Sequence, residues 1–336
     1  MQMIDLVPDL RPTILAAREV TDPRNTLSRF LPNVAKQQVS YQLGRRKRSD
    51  QTVPVRAIDA PAIPIQRPGV VDVRGDLPAI TPLVPLTEQD LTNEMIIAQQ
   101  MAGLGVDWQP ALSAAAVTAA VTVDNTLEVM RGRLLSTGVI SITAEDGETH
   151  SVDFEIPDDN TIAAGAVWNA TTDAGAKAIF DDFTAAAERF VASSGYDAGV
   201  ALTTRPVASL ILAAVQRLFP QAPVGFNEVN AYLANRSLPQ LEVYGRRLNG
   251  TDVFTKGTLT LLPGLDAPVG NTELGVTQEA VQQVQGKVLS AGEAPGVTIV
   301  TLGQDNPVQR AVKAAAIGMP VLRDNEDIVI LSGLIA

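Results

Sequence analysis

The chain has 336 residues, 46% of them hydrophobic and 19% charged, enough to bury a sizeable core as two domains or one elaborated domain. It has no cysteine and a single histidine, which removes thiol catalysis, disulfides and thiolate metal sites and makes a zinc site or a His-based triad hard to assemble. The formal charge is −11; 12 basic residues face 10 acidic ones over 1–90, and 14 face 27 thereafter, a balance that argues against tight binding to a nucleic-acid backbone.

Taken in order, residues 1–38 predict an arm with short helical pieces after Pro12 and near Pro23, and few ways to bury itself except on a neighbour. The opening MQMIDLVPDLRPT has acids where the basic region of a signal peptide would stand, and the apolar run 111–123 is short of a membrane span, so cytosolic synthesis is expected. Residues 39–86 are marked by prolines at 54, 61, 64, 68, 78, 82 and 85 and show almost no helical period. Val39, Tyr41 and Leu43 alternate, as do Val53, Val55 and Ala57, which predicts two strands of a projecting arm that is marginal on its own. Between them GRRKRSD puts Arg45, Arg46, Lys47 and Arg48 at a hairpin tip. Three readings of that tip stay open: a solvated turn, a contact with carboxylates of a partner subunit, or nucleic acid, the last weakened by the absence of aromatics.

Thr87 and Asp90 form a capping-box-like start to a helix over 87–102. A long helix follows, with Asp107 as a candidate cap and Pro110 in its first turn. Leu112, Ala116, Ala119, Val123, Leu127, Met130 and Leu134 recur at spacings of three and four, one stripe on one face of roughly 25 residues, about 38 Å. Arg131 and Arg133 fall in the last turns, the end that favours cations. The helix is either a core element or a strut joining distant parts of a flat subunit. Gly138 stops it, Val139–Thr143 reads as a strand, and Asp146-Gly147 turns a hairpin whose second strand carries His150.

Residues 165–265 alternate helices and strands as a compact α/β module: a helix within 171–195 ended by Gly195, others near 206–219 and 227–233, and strands at 198–204, 241–250 and 257–264. Residues 265–296 read as loop. The end predicts a strand at 297–302, a helical or mixed segment near 307–317, and a last strand at Ile328–Leu331 that could rejoin the 139–156 sheet. No phosphate-binding or dinucleotide loop occurs, and no G-x-S-x-G. The pairs Asp158–Asp159, Asp181–Asp182 and Glu326–Asp327 are the nearest thing to a divalent-ion site, and solvated turns explain them as well. No cofactor and no metal are expected.

The order of parts carries more than any motif. The segment APAIPIQRPGVVDVRGDLPAITPLVPLTEQDL (60–91), the helix-to-strand passage LLSTGVISI (134–142) and the closing NPVQRAVKAAAIGMPVLRDNEDIVIL (306–331) resemble the major capsid proteins of tailed bacteriophages, HK97-type fold, and above all the lambda-type major head protein family. The resemblance implies an α+β fold: an N-terminal arm (1–38), an extended β-hairpin loop lying over an adjacent subunit (39–86), a peripheral domain with the spine helix (87–164), an inserted axial domain (165–296) and a return to the peripheral domain (297–336). It implies no enzyme but a subunit that self-assembles, as pentamers and hexamers, into the icosahedral shell enclosing double-stranded DNA. The expected partners are further copies, a separate scaffolding protein and a portal, with a decoration protein as a further candidate, and without a membrane or sequence-specific DNA contact. The expected location is the virion, after assembly in the host cytoplasm. Three alternatives remain: a bacterial compartment shell protein of the same fold, a carboxylate- and metal-dependent α/β enzyme, and a tail or baseplate structural protein that forms tubes or small rings.

Overall fold

The computed structural model describes residues 2–3, 22–36, 38–46, 70–90, 92–93, 96, 109–143, 147, 149–220, 224–264, 267–283, 296–305 and 308–335. Its axis is α1, Gln109–Thr137. Ala116, Ala119, Val123, Leu127, Met130 and Leu134 are buried along it, and Leu112 is half-buried. On the outward face Thr118, Thr122 and Thr126 donate their hydroxyls to carbonyls four residues back, which gives each hydroxyl a partner within the helix. Gly132 lets the chain at Val253 cross close by; a Cβ there would lie 2.4 Å from the Val253 carbonyl oxygen. Gly138 ends the helix at a φ of +74°, and its N–H donates to Leu134 O at 2.9 Å. The chain then enters β7, Val139–Thr143, paired antiparallel with β8, Thr149–Asp153, with Ile142 opposite His150. Asp107 and Asp146 lie outside the described residues.

Beneath α1 lies a seven-stranded sheet centred on β17, Val308–Leu322. On one side β17 pairs first with β16, Val297–Asp305, and then with β15, Gly270–Gly275; β2, Asn33–Ala35, runs parallel to β15, and β1, Gln2–Met3, borders β16. On the other side it pairs with β5, Ala79–Ile80, and β6, Leu83–Leu86. Three expectations change here. The stretch 308–317, expected as helical or mixed, is strand: its alanines at 311, 314, 315 and 316 are fully buried, and sheet pairing overrides their helical preference. Residues 270–275, expected as loop, are a buried strand. Residues 79–86, expected in a projecting loop, pair with the chain's own β17.

The second core belongs to the α/β module. It contains β9, Thr161–Ala163; α2, Asp173–Ser194; β10, Val200–Thr203; α3, Arg205–Leu218; α4, Phe226–Ala234; β11, Gln240–Val243; and β14, Leu259–Leu262. Thr172 caps α2 by accepting from the Gly175 N–H, and Gly195 closes it in the left-handed conformation. A two-stranded turn, β12 (Arg247–Leu248) with β13 (Thr251–Asp252), follows β11. The last strand, β18, Val329–Ser332, does not rejoin the hairpin of 139–153; it inserts between β14 and β9, giving the order β11-β10-β14-β18-β9. α5, Gln278–Gln283, lies against β16.

The three central strands of this five-stranded sheet, β10, β14 and β18, are buried on both faces, and the alternation of their side chains assigns them. Ala201, Leu259, Leu261, Val329 and Leu331 meet α2 and α3, whereas Val200, Leu202, Leu262 and Ile330 join the α1 core. Thr260, on that second face, donates its hydroxyl to Leu135 O of α1 at 2.8 Å. The long helix therefore packs against both sheets.

Candidate functional site

A separate ribbon is made of β3, Ser40–Arg46, and β4, Val70–Asp76, which pair with each other antiparallel and with no other strand among the described residues. Its base is held: Tyr41, Leu77 and Ile80 are buried in the α1 core. Of the hairpin turn expected at 44–50, residues 44–46 are strand. Arg45 and Arg46 continue the strand, opposite Val71 and Val70, so the partner strand is 70–76 and not 53–57. Lys47, Arg48 and the 53–57 segment lie outside the described residues.

The arm before the ribbon is built differently. After Asp22 the chain turns, with the Asn25 N–H on Asp22 O, and makes a 3-10 turn at Leu27–Arg29. Leu27, Phe30 and Leu31 are fully buried beside α1, so residues 22–36 pack on their own molecule and not, as expected, on a neighbour alone. Polar groups fix the register. Asp124 Oδ2 accepts from the Asp22 N–H at 3.1 Å and from Asn25 Nδ2 at 2.8 Å. Glu128 Oε1 accepts from the Leu27 N–H at 2.9 Å and the Tyr244 hydroxyl at 2.7 Å, and its Oε2 from Arg131 Nη1 at 3.1 Å. Arg131, with no exposed surface, also donates to Asn33 Oδ1 and to Thr272 Oγ1, whose hydroxyl in turn donates to Leu31 O. Nearer the surface Asp22 accepts from Arg24 and, at 2.7 Å, from Arg246.

Three carboxylates and three guanidinium groups thus join the arm, α1, β15 and the loop after β11. Buried ion pairs add little net stability against a well-packed apolar core, but removing one member is costly. The cluster's main effect is to dictate where the arm sits. Hydrogen bonds from Arg24, then the charge of Arg246, hold the Asp22 carboxyl well below the usual carboxylate range despite its burial. Burial first, then the neighbouring Glu128, raises the Tyr244 phenol, which stays protonated and able to donate. Arg131 is therefore not the helix-end cation expected of it. The cluster had a sequence signal: Asp124, Glu128, Arg131 and Leu135 repeat the spacing of Val123, Leu127, Met130 and Leu134 one residue later, a second buried stripe beside the first.

The acidic pairs separate on inspection. Asp182 accepts from Trp168 Nε1 at 2.8 Å, Asp159 pairs with Arg189 at 3.3 Å, and the Glu326 carbonyl accepts from Ser193 and Asn160. Among the described residues no group of three or more His, Cys, Asp or Glu is placed to hold a metal, and no helix is long and apolar enough to cross a membrane. The expected capping box is formed, with the Thr87 hydroxyl on Asp90 Oδ2 at 2.7 Å and the Asp90 N–H on Thr87 Oγ1 at 3.3 Å.

The described residues form an α+β body with two cores, one long helix packed against both sheets, and a two-stranded ribbon beside them. The model of the phage major capsid protein E family matches residues 27–329, and the chain belongs to that family, whose fold is of the HK97 type. Among solved structures it is similar to a prophage protein of E. coli CFT073 described as a capsid protein (13% identity, 98% of this chain and 99% of that one, TM-score 0.61). It is similar also to a phage-related protein of Bordetella bronchiseptica RB50 (13% identity, 99% and 98%, TM-score 0.58) and to the capsid of Myoviridae phage XM1 (11% identity, 94% and 95%, TM-score 0.50). A comparison with curated proteins finds no match. As a member of a capsid family the chain is a structural, shell-forming protein and not an enzyme.

Proposed function

We propose that this chain is the major head subunit that closes, as pentamers and hexamers, into an icosahedral shell around phage double-stranded DNA. The observation that carries the reading is the family match across 27–329. α1 is then the spine, the seven-stranded sheet and the 139–153 hairpin form the peripheral domain, and the five-stranded sheet with α2, α3 and α4 forms the axial domain. The ribbon of β3 and β4 and the residues between them lie over an adjacent subunit, with Arg45, Arg46, Lys47 and Arg48 among the contacts. A bare two-stranded ribbon is marginal in water and gains burial on a neighbour, and many weak contacts repeated around a ring give closure. A scaffolding protein and a portal complete the assembly, a decoration protein is a further candidate partner, and the shell forms in the host cytoplasm before becoming the virion. Electron microscopy of the purified protein, alone and with a scaffolding protein, tests this: closed shells or rings are expected, and a strictly monomeric protein under every condition contradicts it.

A further inference from the structure

The five-stranded sheet carries opposite charge at two diagonal corners. β10, β11, β18 and β9 run parallel and only β14 runs against them. At the end of edge strand β11 the chain forms an open recess of about 380 Å³ lined by Arg24, Thr26, Val243, Tyr244, Gly245, Arg246 and Arg247. Lys256 and Arg29 stand beside it, so five cations meet three carboxylates, Asp22, Glu242 and Asp252. Donor capacity is left over there: the Nε of Arg29 and the Nε of Arg246 are buried without an acceptor. At the start of the opposite edge strand, β9, and of its neighbour β18, lie Asp153, Glu155, Asp158, Asp159, Asp324 and Glu326, against Arg189 and Arg323. The two acidic segments are tied together by Asn325 donating to Glu155 O and by Asn160 donating to the carbonyls of Glu326 and Ile328.

Four strand spacings separate the corners by about 19 Å, and the strand length adds about 13 Å along the other direction. That exceeds the screening length of about 8 Å in physiological salt, so the corners do not neutralise each other within one molecule. A second copy can do so, because contact between two different patches of the same chain is the head-to-tail geometry that closes rings. We propose that copies of this chain meet through these corners, the carboxylates before β9 and β18 of one docking at the arginine-lined recess after β11 of the next. This rests on the shell-forming reading and names the faces that meet.

The test uses the full chain and spares the buried cluster at Asp22. One variant carries Arg247→Glu and Lys256→Glu, a second Asp158→Lys and Asp159→Lys, and a third all four. All four side chains except Asp158 have a surface ion pair, and thermal melts report whether each subunit remains folded. Each paired reversal should raise the concentration needed for ring or shell formation by about tenfold, and the fourfold variant should recover it, because the charges are then exchanged and not lost. Neutral versions with Gln and Asn should show a smaller loss, and wild-type assembly should weaken as salt rises. Wild-type behaviour of either paired reversal overturns the proposal, as does a folded fourfold variant that fails to recover. Neither result touches the shell reading, which falls only if the wild-type chain itself never associates.

Discussion

The clamped arm (22–36) and the ribbon (40–46 with 70–76) are adjacent in sequence and similarly irregular, yet they are ordered by different means. The arm inserts Leu27, Phe30 and Leu31 into a core and has its backbone N–H groups claimed by Asp124 and Glu128. The ribbon is anchored at its base by Tyr41 and Leu77, and among the described residues its strands pair only with each other. The contrast teaches that being extended does not by itself make a segment dependent on a partner. What decides is whether the same molecule supplies acceptors and apolar cover.

The comparison breaks most readily at Glu128. Glu128→Ala removes the nearer carboxylate of buried Arg131, leaving only Asp124 at 3.6 Å, and frees the Leu27 N–H and the Tyr244 hydroxyl; it should cost about 3–5 kcal/mol in denaturant unfolding, far more than any change in the ribbon, and a cost below about 1 kcal/mol would mean that the cluster does not hold the arm. Gly132→Ala should cost about 1–3 kcal/mol, because the new methyl group must displace the Val253 carbonyl. Asp22→Asn adds a pH signature. A carboxyl whose folded pKa is depressed contributes stability above its unfolded pKa of about 3.9 and loses it as pH falls below that. The difference in melting temperature between wild type and Asp22→Asn should therefore be constant near neutrality and shrink below about pH 4, with a pH-independent difference counting against the Arg24 and Arg246 pairing. Smallest in stability is the replacement of Arg45, Arg46, Lys47 and Arg48 by Ser, expected to stay within about 0.5 kcal/mol while impairing assembly. Normal shells at normal yield would remove their proposed contact.

Much of this contrast was legible in the residues. The three-and-four spacing from Leu112 to Leu134 announced the helix, Gly138 its end, and the strand and helix alternation over 165–265 the module. What failed did so for long-range reasons. Ala311–Ala316 reads as helix locally, and only the pairing of β17 with β16 and β6 makes it strand. The ribbon's register was misread because strand 70–76, the true partner of 40–46, is separated from it by more than twenty residues, and Val53–Ala57 offered a nearer alternation. The last strand went to the wrong sheet because an apolar run such as Val329–Leu331 fits any buried position. The ionic cluster was missed because charged residues on a helix are ordinarily read as its wet face, although the repeat of Asp124, Glu128 and Arg131 beside the apolar stripe marks them as buried.

Hydrogen exchange, compared between the dissociated subunit and the assembled particle, addresses the difference between arm and ribbon most directly. Amides of Asp22, Leu27 and Thr272 should be protected in both states, whereas those of 42–46 and 70–74 should exchange quickly in the subunit and become protected on assembly. Equal protection of the ribbon in the lone subunit would contradict the account.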